Sequence, residues 1–194
     1  MPTTSRKRIA LILGHPDSDS LCGALARRYA LAAQQAGHEL RLFELGSVPF
    51  DPVLRHGYAQ VQPLEPGLVA VRDAMAWANH LVFVYPVWWG AMPALLKGFF
   101  DRVFLSGWAY KYRKDSPWWD KLLLGRSALV ITTMDTPPWY YRFVYRMPGH
   151  QQIRRTILGF CGVAPVRILS FGPVRNATDA RRAQWLDKVA ALAR

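Results

Sequence analysis

The chain has 194 residues, of which 51% are hydrophobic and 20% are charged. This composition excludes a chain that is disordered throughout, and it suits one domain over residues 1–194 with enough length to bury a sizeable core. The 25 basic and 13 acidic residues give a net charge of +12, which would attract nucleic acid, an anionic membrane or an anionic dinucleotide. Because the basic residues are dispersed and no nucleic-acid-binding signature accompanies them, we do not expect a nucleic-acid partner.

Signals of secretion and of metal binding are weak in this sequence. The first eight residues lack the apolar segment of a signal peptide. The two cysteines, Cys22 and Cys161, have neither CxxC spacing nor the pattern of a disulfide framework or a zinc site. We therefore expect a cytoplasmic protein without a structural metal.

The first strand leads into a polar loop that has the features of an anion site. Arg8–Gly14 is an apolar run that predicts a buried strand, and His15–Cys22 follows it before a helix. Free N–H groups at a helix N-terminus bind anions, and Ser18, Ser20 and His15 could add donors or charge. The alternative is that the loop merely caps the helix. No GxGxxG motif is present, which disfavours a classical dinucleotide-binding fold.

Strand and helix patterns alternate along the rest of the chain. Further strands are predicted at Glu39–Glu44, Leu81–Tyr85, Arg126–Thr133 and Val166–Phe171. Helices are predicted after the first loop, at Gly67–Trp77, from Pro93 onward, at Ile153–Phe160 and at Thr178–Ala193. This alternation predicts an α/β protein with a doubly wound, five-stranded parallel sheet in the order 2-1-3-4-5 and helices on both faces.

The central stretch from residue 81 to residue 110 reads LVFVYPVWWGAMPALLKGFFDRVFLSGWAY. Pro86 ends the strand, and Trp88 and Trp89 follow at its carboxyl end, where open α/β sheets bind ligands. Two adjacent indoles could be core packing, but flat aromatic walls also suit a flat cofactor. The uncharged run from Leu81 to Leu96 is too short and too rich in proline for a membrane span.

This stretch resembles a known family. YPVWWGAMPALLKGFFDRVF followed by GWAY is similar to the signature of the flavodoxin-like NAD(P)H:quinone oxidoreductases, and HPxxxSxxxAL is similar to their first loop. The family includes bacterial modulator-of-drug-activity and potassium-efflux ancillary flavoproteins. The resemblance implies a flavodoxin-like fold, a bound FMN or FAD, NAD(P)H as co-substrate, and ping-pong two-electron reduction of quinones, azo or nitro compounds. It also implies a homodimer.

The resemblance implies flavin contacts on three loops. With Ser18 added from the anion-site pattern, the expected contacts are His15, Ser18, Ser20, Leu21 and Cys22 for the phosphate, Pro86, Val87, Trp88, Trp89 and Gly90 along the ring, and Thr132, Thr133, Met134 and Asp135 at the pyrimidine edge. The family often has asparagine at the position of Cys22 and usually two glycines at those of Met134 and Asp135. Asp135 would place a carboxylate where the reduced flavin develops negative charge.

Catalytic and substrate contacts are implied by looser matches. Tyr140 falls at the spacing of a family tyrosine near the flavin, with Tyr141 as an adjacent rival. His150 is a candidate general acid, although a lone histidine is commonly structural. Trp108 and Tyr110 are expected to border the substrate cavity, often across a dimer interface; the aromatic and basic residues around them would also suit stacking on single-stranded nucleic acid.

Two other functions remain open at the level of the sequence. One is a flavin-binding regulatory subunit of a membrane transporter, which the basic composition would suit. The other is a non-catalytic flavodoxin-like electron carrier, which would need an exposed flavin edge rather than a walled slot.

Overall fold

The computed structural model describes residues 6–193. Its strands are β1 Arg8–Leu13, β2 Glu39–Glu44, β3 His80–Pro86, β4 Tyr110–Tyr112, β5 Trp119–Lys121, β6 Ser127–Thr133 and β7 Val166–Phe171. Five of them form a parallel sheet in the order β2-β1-β3-β6-β7, and β4 and β5 pair as a separate antiparallel hairpin. Counting only the strands of the large sheet, this is the order 2-1-3-4-5, so the predicted topology is confirmed.

The inner strands are apolar because helices cover both of their faces. In β1, β3 and β6 every residue after the first is buried, as expected for parallel strands in the middle of an α/β sheet. The edge strand β2 alternates exposed and half-buried residues instead. This difference fixes β1, β3 and β6 as the centre of the molecule, and their carboxyl ends meet at one edge.

Helices pack on both faces of the sheet. They are α1 Leu21–Gln35, α2 Pro66–Trp77, α3 Ala94–Val103, α4 Pro138–Phe143, α5 Pro148–Gln151 and α6 Asp179–Leu192, and a π-helix at Gln152–Gly159 continues α5. One core cluster lies between the sheet and α1 with α6, and the other lies under α2, α3 and the π-helix. No helix among residues 6–193 is long and apolar enough to cross a membrane.

Several local features differ from the sequence-based expectation. Residues 152–159 form a π-helix rather than an α-helix, because the same apolar spacing fits both and the pattern does not distinguish them. Pro86 is the last residue of β3 rather than the first residue after it, since its missing N–H is harmless at that end. The β4–β5 hairpin and α4 have no counterpart in the predicted elements.

A buried arginine holds the long segment between β2 and α2 against α3. The Arg102 side chain is 1% exposed. It forms a bidentate ion pair with Glu65 at 3.1 and 2.9 Å and donates to the carbonyl oxygens of Pro63, at 2.8 Å, and Asp51. Removing one partner of such a pair destabilises the protein, because the charge of the other partner is left buried without compensation.

Candidate functional site

Three loops meet at the carboxyl edge of the sheet. They follow β1, β3 and β6, the strands at and beside the point where the strand order reverses, which is where open α/β sheets bind ligands. The loops enclose a cleft of about 310 Å³. Its lining comprises His15, Ser20, Leu21, Cys22, Pro86, Val87, Trp88, Thr133, Met134, Asp135, Thr136 and Val174. The structure therefore brings most of the predicted flavin contacts together in one cleft.

The loop after β1 presents the N-terminus of α1 to this cleft. Ser20 is the N-cap, and its hydroxyl accepts a hydrogen bond from the Gly23 N–H at 3.2 Å and donates to the Asp17 carbonyl at 2.7 Å. The N–H groups of Leu21 and Cys22 donate to no acceptor among the described residues. Such first-turn donors, together with the helix dipole, form an anion site.

The loop after β3 forms a tight turn that displays two tryptophans. Trp88 and Ala91 exchange hydrogen bonds of 2.9 and 3.0 Å. The two residues between them, Trp89 and Gly90, have left-handed φ values of 52° and 78°, as in a type I′ turn. A left-handed tryptophan is strained, and such strain persists only where the surroundings enforce it. Trp88 lies in the wall of the cleft, with its ring 5.6 Å from that of His15, and Trp89 is fully exposed.

The surroundings that enforce this turn are Tyr141 and Gly149. The Tyr141 hydroxyl donates to the Gly90 carbonyl at 2.9 Å and accepts from the Gly149 N–H at 3.0 Å. The Gly149 N–H also lies 3.0 Å from the Gly90 carbonyl. A Cβ atom at residue 149 would approach that carbonyl to 2.7 Å, so only glycine allows the contact. Tyr141 is buried, and burial raises its pKa, an effect that hydrogen bonds from Gly149 and His150 oppose.

The loop after β6 is held by β7 and by the loop that follows β7. The Met134 N–H donates to the Phe171 carbonyl at 2.9 Å, and the Met134 carbonyl accepts from the Val174 N–H at 3.1 Å, so the Met134 N–H is not free to contact a flavin. The Asp135 carboxylate accepts from the Arg175 N–H at 2.8 Å. This bond directs the carboxylate toward the loop after β7.

Two cysteines are present, and one of them lies in the cleft wall. The Cys22 sulfur is 3.2 Å from the Thr133 hydroxyl. Burial raises the pKa of the Cys22 thiol to about 12, although the hydrogen bond with Thr133 opposes the shift. The thiol is therefore neutral at pH 7 and contributes a small, weakly polar surface rather than a nucleophile.

His150 belongs to a polar cluster under the carboxyl ends of β6 and β7. Its Nε2 lies 3.4 Å from the Thr132 hydroxyl and 3.3 Å from the Ser170 hydroxyl, and its ring packs edge-on against Tyr141 at 4.9 Å. Burial, assisted by the positive charge of Arg154, lowers the pKa of His150 to about 4. The remaining N–H of a neutral imidazole is too weakly acidic to be donated at pH 7, which argues against a role as general acid.

The other predicted residues lie outside this cleft. The ring of Tyr140 packs edge-on against those of Trp139 and Tyr145. Of the two neighbouring tyrosines, only Tyr141 contacts the turn from Trp88 to Ala91, which we call the aromatic turn. Tyr110 lines a different cavity of about 310 Å³ near α3 and the π-helix. Trp108 packs edge-on against Phe104 at 5.5 Å. Within one chain, neither Trp108 nor Tyr110 borders the cleft.

Sequence reasoning also missed several residues of the site. Thr136 and Val174 line the cleft, and Gly149 and Ser170 support it. The dipeptide Pro137-Pro138 is a helix-start signal that would have predicted where α4 begins. No sequence pattern indicated Val174 or Ser170, which reach the site only through the pairing of β6 with β7.

The free backbone donors of the cleft and of the turn beside it fit a flavin. Besides Leu21 and Cys22 at the phosphate end, the N–H groups of Trp89, Gly90, Asp135 and Thr136 donate to no acceptor among the described residues. Donors at the rim match the carbonyl and ring nitrogen acceptors of an isoalloxazine, and Trp88 offers it a flat face. In residues 6–193 no group of histidine, cysteine, aspartate and glutamate side chains is arranged to hold a metal ion.

Fold and cleft together define an α/β protein of the flavodoxin class, and comparison with known proteins agrees. A family model described as "Flavodoxin-like fold" matches residues 7–193. The chain belongs to this family, and the predicted resemblance to its NAD(P)H:quinone oxidoreductases is confirmed.

Individual relatives are similar at moderate identity. An uncharacterized NAD(P)H oxidoreductase from Haemophilus influenzae is 27% identical over 187 residues, covering 93% of this chain and 91% of that protein. NAD(P)H dehydrogenase [quinone] 1 from Cavia porcellus is 28% identical over 158 residues, covering 69% of this chain but only 56% of its own length. The crystal structure of Smu.1420 from Streptococcus mutans superimposes with a TM-score of 0.82 at 31% identity, covering 96% of this chain and 98% of that one.

Proposed function

We propose that this protein is a flavin-dependent NAD(P)H oxidoreductase that reduces quinones, and related azo or nitro acceptors, by two electrons in a ping-pong cycle. The observation that carries the proposal is the convergence of three loops on one cleft. One loop supplies anion donors, one a flat aromatic wall, and one polar groups. The names of the relatives from Haemophilus influenzae and Cavia porcellus support the same activity.

The chain's own residues would bind and orient the cofactor. The N–H groups of Leu21 and Cys22 would hold the phosphate of FMN or FAD, with Ser20 fixing the loop. Trp88 and the turn held by Tyr141 would fix the plane of the ring. When bound, the flavin supplies the redox chemistry by accepting a hydride from NAD(P)H and passing it to the acceptor.

Further residues are proposed to stabilise the reduced acceptor and to form the wall of its site. Tyr140 and His150 are the groups proposed to stabilise charge on the reduced acceptor. His150, neutral because of its lowered pKa, would act as a hydrogen-bond partner, whereas Tyr140, which packs outside the cleft, would act only on an acceptor that extends beyond it. Trp108 and Tyr110 would border the acceptor only if a homodimer places them at the other subunit's cleft, because they lie outside the cleft of their own chain.

The test is an absorption spectrum of the purified protein, followed by extraction and chromatography of the chromophore. We expect flavin bands that NAD(P)H bleaches and a quinone restores, and the extracted compound distinguishes FMN from FAD. A colourless protein that takes up neither added FMN nor added FAD would overturn the proposal.

A further inference from the structure

The segment after β6 carries an exposed surface that combines apolar and basic side chains. Within seven residues, Trp139 is 62% exposed, Phe143 70%, and Val144 and Tyr145 51% each. Trp139, Arg142 and Phe143 lie on α4, with Trp139 and Phe143 four residues apart, and Val144, Tyr145 and Arg146 follow directly after the helix. We call these six residues the aromatic–arginine face. Large apolar side chains clustered in this way on a surface mark an interaction site.

The positive charge of the chain around this face is not balanced by acidic residues of the same segment. Residues 136–178 contain six arginines and no lysine, aspartate or glutamate. None of these arginines takes part in an ion pair within residues 6–193, whereas arginines elsewhere pair with Asp and Glu. Arg142 and Arg146 are both exposed. The partner of this surface therefore has to be anionic and has to accept apolar side chains.

An anionic lipid bilayer meets both requirements. Tryptophan and tyrosine settle at the level of the lipid headgroups, phenylalanine and valine insert into the acyl boundary, and arginine contacts the phosphates. Stacking on nucleic acid would use the aromatic rings but gives no role to Val144, which has only apolar surface. Neither charge nor a short apolar segment alone holds a protein on a membrane, and this face offers the two together.

The face lies next to the turn from Trp88 to Ala91, whose first residue lines the cleft. Gly90 of the aromatic turn is hydrogen-bonded to Tyr141, a buried residue of α4 within the exposed segment, and to Gly149 of α5, which follows that segment. Trp89, at the tip of that turn, is fully exposed. A surface bound to the aromatic–arginine face would therefore lie close to the turn whose Trp88 lines the cleft.

We propose that the aromatic–arginine face docks this protein on anionic lipid bilayers and brings the cleft to acceptors dissolved in the lipid. The substrate class is then a quinone with a long apolar tail, and this part of the inference rests on the proposed function. Docking itself rests only on the exposed residues and their charge.

The experiment is sedimentation of the full chain with two kinds of vesicle, phosphatidylcholine alone and phosphatidylcholine mixed with phosphatidylglycerol. We expect binding to the anionic vesicles only, weakened by salt. Because each arginine near an anionic surface contributes about fivefold in affinity, R142Q with R146Q should lower binding about thirtyfold. F143S with V144S should also release the protein. The matched controls K111Q with K114Q, and W118S, alter exposed residues elsewhere and should leave binding unchanged.

The activity assay separates docking from catalysis. The four face substitutions should preserve reduction of a short, water-soluble quinone and lower reduction of a long-tailed quinone embedded in anionic vesicles. Equal binding to both vesicle types, or equal loss in the lysine control, would overturn docking even if the soluble quinone is reduced. If the protein reduces no quinone, sedimentation still decides docking.

Two other occupants of the face would also overturn the proposal. A second copy of the chain would appear as a dimer that the face substitutions dissociate without any change in vesicle binding, measured by sedimentation equilibrium. A single-stranded oligonucleotide that binds the parent but not the face variants, in the absence of vesicle binding, would assign the face to nucleic acid.

Discussion

The two adjacent tyrosines on α4 provide a sharp test of the site. Tyr141 is buried, and its hydroxyl bridges Gly90 and Gly149, whereas Tyr140 is half-buried and its hydroxyl has no hydrogen bond among the described residues. Tyr141→Phe removes two hydrogen bonds and Tyr140→Phe removes none. The two substitutions lie one position apart, and each removes one oxygen atom from the parent, so each variant is a control for the other.

The magnitude follows from those contacts. A protein hydrogen bond contributes about 0.5–1.5 kcal/mol net, and the Gly149 N–H keeps the Gly90 carbonyl as its acceptor in the variant. No buried group is therefore left without a partner, and Tyr141→Phe should lower the free energy of unfolding by about 1–2 kcal/mol. For a chain of this size the melting temperature should fall by roughly 2–8 °C. Tyr140→Phe should stay within about 0.5 kcal/mol of the parent.

The assay combines urea unfolding with steady-state kinetics and acrylamide quenching of tryptophan fluorescence. We expect Tyr141→Phe to raise the quenching of Trp88, the partly exposed tryptophan of the turn, and to lower kcat/KM for the acceptor. Equal stability losses in the two variants, or none in Tyr141→Phe, would refute the assignment of Tyr141 as the residue that holds the turn. Unchanged turnover in Tyr140→Phe would remove Tyr140 from the mechanism.

Three further predictions concern the rest of the molecule. Arg102→Met should cost about 3–5 kcal/mol in urea unfolding at pH 7, because it leaves the Glu65 carboxylate half-buried without its cation; a loss below about 1 kcal/mol would contradict the anchor. Burial lowers the pKa values of both His80 and His150 to about 4, so both stay neutral in the folded protein and bind protons on unfolding. Their contribution to stability is complete above about pH 6.5 and is lost as the pH falls toward 4, and thermal melts across that range should show the decline, which His150→Gln reduces. Gly23→Ala would place a Cβ 1.8 Å from a backbone carbonyl of the preceding loop, and flavin content per chain should fall with it; full occupancy in that variant would contradict the phosphate-site assignment.

Much of the fold could be predicted because buried parallel strands have short, continuous apolar sequences. Glu39–Glu44 and Val166–Phe171 match β2 and β7 at both ends. Once the strand order is known, the loops after β1, β3 and β6 must share an edge, and the cleft follows. The choice between Tyr140 and Tyr141 could not be made, because it depends on the phase of a six-residue helix that spacing alone does not fix.

Long-range contacts account for what the sequence did not predict. The Met134 N–H is taken by Phe171, and the Asp135 carboxylate by the Arg175 N–H, through pairing with a strand and loop some forty residues away. The β4–β5 hairpin has only three residues in each strand, and such short runs carry little periodicity. The low pKa of His150 likewise comes from burial between elements rather than from its sequence neighbours.

The protonation state of the two thiols determines how readily quinones would alkylate this protein. Quinones are electrophiles that alkylate thiolates by conjugate addition, and an oxidoreductase that binds them exposes its own side chains to that reaction. Cys22 and Cys161 are the chain's only cysteines, both are buried, and burial raises the pKa of each to about 12. At neutral pH almost no thiolate exists at either position to attack the bound acceptor. The cleft can thus place a sulfur atom in its wall and still resist covalent inactivation by the compounds it is proposed to reduce.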